Sequence, residues 1–485
     1  MHRFVAALLF LSFYALSFHS CYRMRTSKGG GQIDEIPTRK INTQDVALPP
    51  GYKIERVASG FSFPTAAAFD DAGNLHVVES GYSYGEVWTE PRLIRIEKDG
   101  RRTIVATGKR NGPWTGVYWH NGAFYVAEGG EIEGGQILKI SKDGTITSLI
   151  SDLPTLGDHH TNGPVVKDGH IYFSLGTATN AGVVGADNAE MGWLLRQKSF
   201  HDIPCRDITL TGHNYEGPNV LTDAKDDKVN TGAYVPFGTT TTPGQVIKGK
   251  VPCSGAVMRI PLNGGGVELV SWGFRNPFGL ALAPDGRLFV TENGYDDRGS
   301  RPVWGAGDVL WEIKNGTWYG WPDFSAGRPI QNDEEFKVPG KERVQPLLQQ
   351  YPNTPPKPAA VFGVHSSSNG LDFSRNNDFG YAGEAFVAQF GDMAPEVGKV
   401  LSPVGFKIVR VDVNTGIIRD FAVNKGKRNG AASWLGKGGL ERPVSVKFDP
   451  AGKALYVVDF GIMKMTKEGP KPQVNTGVVW KITKE

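Results

Sequence analysis

The sequence contains only three cysteines in 485 residues, Cys21, Cys205 and Cys253. None lies in a Cys-x-x-Cys-His pattern, which excludes covalent c-type haem. No Walker or dinucleotide-binding glycine fingerprint is present either. Charge of one sign is also scarce: Lys and Arg number 53 against 50 Asp and Glu, a net +3 without a long basic run. That balance argues against a nucleic-acid partner. No apolar run reaches the ~20 residues of a membrane-spanning helix. The nearest, Phe4 to Phe18, follows His2 and Arg3 and reads as a signal peptide over residues 1–21. Ser20-Cys21 also suits a lipoprotein signal that would tether the chain to a membrane through Cys21. Ordinary cleavage nearby is the competing reading. Residues 22–45, polar and glycine-rich, read as a linker. An exported chain, periplasmic or in the cell envelope, favours a disulfide between Cys205 and Cys253.

Glycine, by contrast, is abundant at 63 residues, above the roughly 7% average and concentrated at turn positions. The segment Ser271–Phe324 shows why. An apolar run from Phe278 to Ala283 meets Pro284-Asp285-Gly286, and a second run, Leu288 to Thr291, returns. Asp-Gly between apolar runs predicts an antiparallel hairpin. Its two ends then bring Arg275-Asn276 next to Glu292-Asn293-Gly294-Tyr295. The same order recurs from Phe63, Gly112, Thr161, Ser368 and Glu441, which gives six units with the opening one. Spaced β-units of this kind predict an all-β, six-bladed β-propeller with long loop insertions, over residues 46–485. Gly51 to Ser59 has no partner in its own unit and is expected to complete the last blade. The insertions are Thr177–Ser254, carrying both remaining cysteines, and Gly327–Pro358. Both are candidate pocket walls. Within the first, the stretches TGHNYEGP and TTTTPGQ read as ordered loop.

Pseudo-symmetry brings the opening residues of the units around one axis. These are Pro64-Thr65, Trp114-Thr115, His159 to Asn162, Arg275-Asn276, Ser368-Asn369 and Arg442-Pro443. Histidine titrates near neutrality and serves as a general base. His159 and His160 are adjacent, so one of them is expected to face the axis, with Asp158 placed to orient a ring. Buried arginines need partners, and a ligand at the axis would supply them.

The run RNPFGLALAPDGRLFVTENG, followed by WYGWP, resembles the soluble quinoprotein glucose, aldose-sugar and sorbosone dehydrogenases. The resemblance covers most of the chain from about Leu48. It implies a six-bladed propeller that binds pyrroloquinoline quinone (PQQ) and calcium, oxidises an aldose or related sugar, and passes electrons to a separate acceptor. It implies His159 as the catalytic base and Arg275 as a catalytic and cofactor-binding group. Asn276 and Arg442 are implied as cofactor contacts, and the backbone carbonyls of Gly294 and Tyr295 as calcium ligands. Trp114 and Asn369, at equivalent openings, are further candidate cofactor contacts. Tyr295 stands where the family usually has Pro, and Asn162-Gly163-Pro164 replaces the usual Gly-Arg ending after the histidine. The family's cofactor-contacting lysine has only Lys399 and Lys407 as nearby candidates. Two other readings share the fold. One is a calcium-dependent lactonase-like hydrolase using Glu79, Glu128 and Glu292. The other is a non-catalytic carbohydrate-binding propeller.

Overall fold

The computed structural model describes residues 38–83, 87–130, 133–224, 226–393, 402–466 and 469–485. The expected signal peptide, Cys21, residues 22–37 of the expected linker, and Lys399 lie outside the described residues. Six sheets, antiparallel except where Ser271 and Trp272 pair parallel with Thr317–Trp318, form a β-propeller. Their innermost strands are Pro64–Phe69, Trp114–His120, Thr161–Lys167, Asn276–Leu282, Ser368–Phe373 and Pro443–Phe448. Each innermost strand pairs with the next strand in sequence, as hairpin connections dictate.

The opening hairpin forms as expected, from Asn276–Leu282 to Leu288–Asn293. Gly286 sits at φ +84, the left-handed region that glycine adopts without steric cost. The Asp285 carboxylate accepts the Arg287 N–H at 3.1 Å and fixes the turn. Ring closure also follows expectation. Tyr52–Phe61, from the start of the chain, pairs antiparallel with the C-terminal Gly477–Lys484. The expected linker is not free at its end: Arg39 forms ion pairs with Glu441 at 3.1 Å and Asp459 at 3.0 Å.

Large side chains fill the seams between blades. Phe379, Phe386, Phe448 and Trp480 form one cluster spanning the fifth and sixth blades. A buried carboxylate closes several blades at the end of the second strand. Glu79 accepts Ser62 N–H at 2.7 Å. Glu128 accepts the Trp114 indole N–H at 2.8 Å. Glu292 accepts Arg275 N–H and Trp311 Nε1–H, each at 2.5 Å. Asp459 accepts Arg442 N–H at 2.9 Å and Trp480 Nε1–H at 3.2 Å. Glu79, Glu128 and Glu292 thus face into their blades, and the hydrolase reading loses its metal ligands.

The first insertion is less irregular than expected. It contains short helices Ala186–Glu190 and Trp193–Arg196. TGHNYEGP supplies a strand, Tyr215–Pro218, paired with Lys228–Thr231. The second insertion packs on the first through a bridge between Leu210 and Leu348 and a cluster that includes Phe336, Leu347, Trp318 and Trp321.

Cys205 and Cys253 are joined, 48 residues apart in sequence. Closing a loop of this length is expected to contribute about 2–4 kcal/mol. Replacing both cysteines with serine should lower the denaturant midpoint accordingly, and peptide mapping without reduction should recover the linked pair.

Candidate functional site

The opening residues of all six blades converge on a cavity of about 660 Å³. This size falls in the ordinary range for small-molecule sites. Thr65, Thr115, His159, Asn162, Arg275, Asn276, Asn369 and Val444 come from the blades, and the first insertion adds Asp187 and Trp193. The cavity has two unlike walls. Phe278, Phe390, Phe460, Val444 and Met463 form an apolar face, while Asp158, His159, Arg275, Asp296, Arg298 and His365 form a polar one. No residue of the second insertion lines it, so only Thr177–Ser254 acts as a wall.

His159 is set by the turn that follows the second strand of its blade. Its Nδ1 lies 2.9 Å from the Thr177 carbonyl. A carbonyl only accepts, so Nδ1 carries the hydrogen and Nε2 keeps its lone pair. Gly176 permits the approach, because a Cβ there would lie 2.1 Å from the His159 Cβ. Asp202 braces the same turn, accepting Ala178 N–H at 2.7 Å and Thr179 Oγ1–H at 2.5 Å. Burial, then the charges of Arg275 and Arg298, hold the His159 imidazole well below its usual pKa. The ring is therefore neutral at physiological pH, as a proton acceptor must be. Both histidines line the cavity, contrary to the expectation that one would turn away. Asp158 does not orient a ring; the Thr177 carbonyl does.

Asp158 belongs instead to an arginine–carboxylate lattice. Arg298 donates to Asp158 and Asp187, each at 2.6 Å, and to Asp296 at 3.0 Å. Arg275 donates from Nη2 to Asp296 at 2.6 Å and from Nη1 to the Gly294 carbonyl at 2.6 Å. Its Nε reaches the Asn180 side chain at 3.1 Å. Burial pushes the Asp158 carboxyl up to about 6, against the pull of Arg298. Burial also opposes ionisation of Asp296, but Arg275 and Arg298 outweigh it and hold that carboxyl below the usual range.

Several expected contacts lie elsewhere. Trp114 has no exposed surface and packs in the seam between the first two blades, its indole spent on Glu128. Arg442 is also fully buried, caged by Phe390, Phe406 and Trp434 with ring centroids 4.9, 5.0 and 5.4 Å away. Neither lines the cavity. In strands, successive side chains alternate sides, and at these openings Thr115 and Val444 face the axis. Lys407 pairs with Asp420 at 2.6 Å, away from the cavity. Asn276 and Asn369 do line it. Tyr295 is buried under the insertions, with its hydroxyl donating to the Phe324 carbonyl at 3.0 Å.

Calcium does not fit at Gly294, because that carbonyl already receives a guanidinium. Among the described residues, no group of three or more His, Cys, Asp and Glu side chains is placed to hold a metal. A planar anionic quinone fits better. The apolar face suits its rings, and the Asn276 and Asn369 amides and the Nη groups of Arg275 and Arg298 suit its oxygens.

The sequence reading missed Asp296, Arg298, Asp308 and His365. The signal for the first two was the charged string DDRGSR directly after Tyr295. His365 lies in HSSSNG, before an opening residue already singled out. Its backbone sits at φ +58 and its Nδ1 is 3.7 Å from Asp296. Strain of this kind in a non-glycine residue often marks a functional segment.

Residues 248–391 match the glucose/sorbosone dehydrogenase family. The matched segment holds Arg275, Asn276, the Glu292–Arg298 turn, His365 and Asn369. No curated protein matches the chain. Many solved structures share its fold, three of them as follows. A calcium structure of a Trichoderma reesei carbohydrate-active enzyme of family AA12 is 16% identical with a TM-score of 0.52, covering 92% of this chain and 98% of that one. The holo PQQ domain of pyranose dehydrogenase from Coprinopsis cinerea is 13% identical at 0.53, covering 93% and 98%. The soluble aldose sugar dehydrogenase from Escherichia coli, in its apo form, is 14% identical at 0.51, covering 90% and 100%.

Asp202 gives the His159 turn a pH signature. Burial pushes its carboxyl up to about 7. The folded state then holds a proton that the unfolded state releases near pH 4, so this group's contribution to stability falls as pH rises toward and through 7. Asp202→Asn removes that loss while keeping an acceptor for Ala178 N–H. The melting temperature of Asp202→Asn relative to the parent should therefore climb between pH 5 and pH 8. A flat difference would mean that Asp202 is ionised throughout.

Proposed function

We propose that the protein is an exported oxidoreductase that oxidises an aldose or related sugar, with a quinone of the PQQ kind as its cofactor. The observation that carries this reading is the neutral His159, with its Nε2 lone pair available, sharing a cavity with the guanidinium groups of Arg275 and Arg298, both in the family-matched segment. When bound, the quinone supplies a two-electron acceptor for the hydride of the sugar's anomeric carbon. His159 takes the proton of the anomeric hydroxyl at Nε2. The Thr177 carbonyl steadies the imidazolium that forms by accepting from Nδ1–H. Arg275 and Arg298 offer N–H donors to negative charge developing on oxygen, in a site where low dielectric strengthens them. Asn276 and Asn369 orient polar groups, and Phe390, Phe460 and Met463, which share one apolar cluster, exclude water from their part of the cavity. No covalent haem pattern occurs in the sequence, so electrons leave to a separate acceptor. The Cys205–Cys253 disulfide supports export.

The test is dye reduction by purified protein given PQQ across a panel of sugars. A sugar-dependent signal supports the reading. Sugar binding without reduction points to the carbohydrate-binding alternative. His159→Ala should keep its fold and its affinity for PQQ while losing about 100-fold or more in turnover. Arg275→Ala should weaken cofactor binding and turnover together. Unchanged turnover in a folded His159→Ala protein removes the base assignment.

A further inference from the structure

The Gly294 carbonyl carries a second conclusion, which rests on the cavity being the cofactor site proposed above. We propose that Arg275 is the built-in cation of this cavity, seated at the carbonyl where the family resemblance puts calcium, and that the site binds its ligand without a divalent metal.

The geometry leaves no place for both cations. Arg275 Nη1 lies 2.6 Å from the Gly294 oxygen. Calcium would need to approach the same oxygen at about 2.3–2.6 Å. Two cations sharing one carbonyl in a buried site repel strongly. Displacing Arg275 is costly, because three groups hold it. Asp296 accepts from Nη2 at 2.6 Å, and Asn180 accepts from Nε through its side chain at 3.1 Å and its backbone carbonyl at 3.2 Å. The same Asn180 side chain accepts Asp296 N–H at 3.0 Å and donates to the Asp296 carbonyl at 2.9 Å. One amide thus clamps both the arginine and its counter-ion.

The acids that a dication would recruit are already engaged. Asp158 and Asp187 face Arg298. Asp308 accepts Gly294 N–H at 3.0 Å, Ser366 Oγ–H at 2.8 Å and Ser368 N–H at 2.7 Å. Calcium takes six to eight oxygens, and of the carboxylate oxygens of Asp158, Asp187 and Asp308 only Asp187 Oδ1 lacks a donor, far short of that number. A guanidinium in the same place gives a fixed positive charge and remaining N–H groups for an anionic oxygen.

The experiment separates metal from cofactor. Protein stripped with EDTA is dialysed against radiolabelled calcium, melted with and without calcium, and titrated with PQQ by absorbance in EDTA and in calcium. The expected result is no stoichiometric calcium, an unchanged melting temperature, and the same PQQ affinity in both buffers. One tightly held calcium per chain, a melting temperature raised by calcium, or PQQ binding that requires calcium overturns the inference. A protein that takes up neither calcium nor PQQ removes the quinone reading, and the inference that rests on it falls with that reading. Arg275→Gln, checked for folding by its melting curve, should lower PQQ affinity in EDTA on the order of ten- to a hundredfold. Unaltered affinity in that variant counts against Arg275 as the cation.

Discussion

Ring closure is the constraint on which the rest of the structure depends. A six-bladed ring left open would expose two sheet edges and the core between its first and last blades. The chain solves this by giving its final sheet an outer strand from near its start, Tyr52–Phe61 on Gly477–Lys484. Arg39 adds a further tie to the last blade through Glu441 and Asp459. Once the ring is closed, every innermost strand starts at the same axis. A functional site then needs only a few polar residues at those openings.

The strand openings are held by chemistry that looks catalytic in the sequence but is structural. Glu79, Glu128, Glu292 and Asp459 occupy corresponding positions, and each accepts a main-chain or indole N–H at the start of its blade. An N–H buried without an acceptor would cost about 1–3 kcal/mol, so a carboxylate at the close of the second strand is a sound local solution. Its burden is desolvation: burial pushes the Glu292 carboxyl up to about 7.

This distinction explains what the sequence made legible. The Asp285-Gly286 hairpin, the repeat of six, the closing strand and the disulfide rest on local patterning or on a count of cysteines, and they could be read directly. Trp114 and Arg442 were assigned to the axis because their position in the repeat was right, yet the pleat turned them away and faced Thr115 and Val444 inward. The lattice was harder still. Arg298 and Asp158 are 140 residues apart, and Asp187 sits in an insertion with no counterpart in the other repeats. No periodicity connects such residues. Only the folded ring brings them together, and the charged string after Tyr295 was the sole local trace.

The lattice also ties the insertion to the chemistry. Arg298 reaches Asp296 on its own turn, Asp158 before the third blade and Asp187 on the insertion's first helix. Its charge, with that of Arg275, helps keep His159 neutral. The contacts that dock the insertion as a cavity wall are therefore among those that set the protonation of the base. Removing Asp187 would leave Arg298 with less compensation and would loosen the wall at the same time. Buried charge of this kind is poor evidence for stability in itself. Its value here is positional, since one guanidinium fixes three chain segments around a single imidazole.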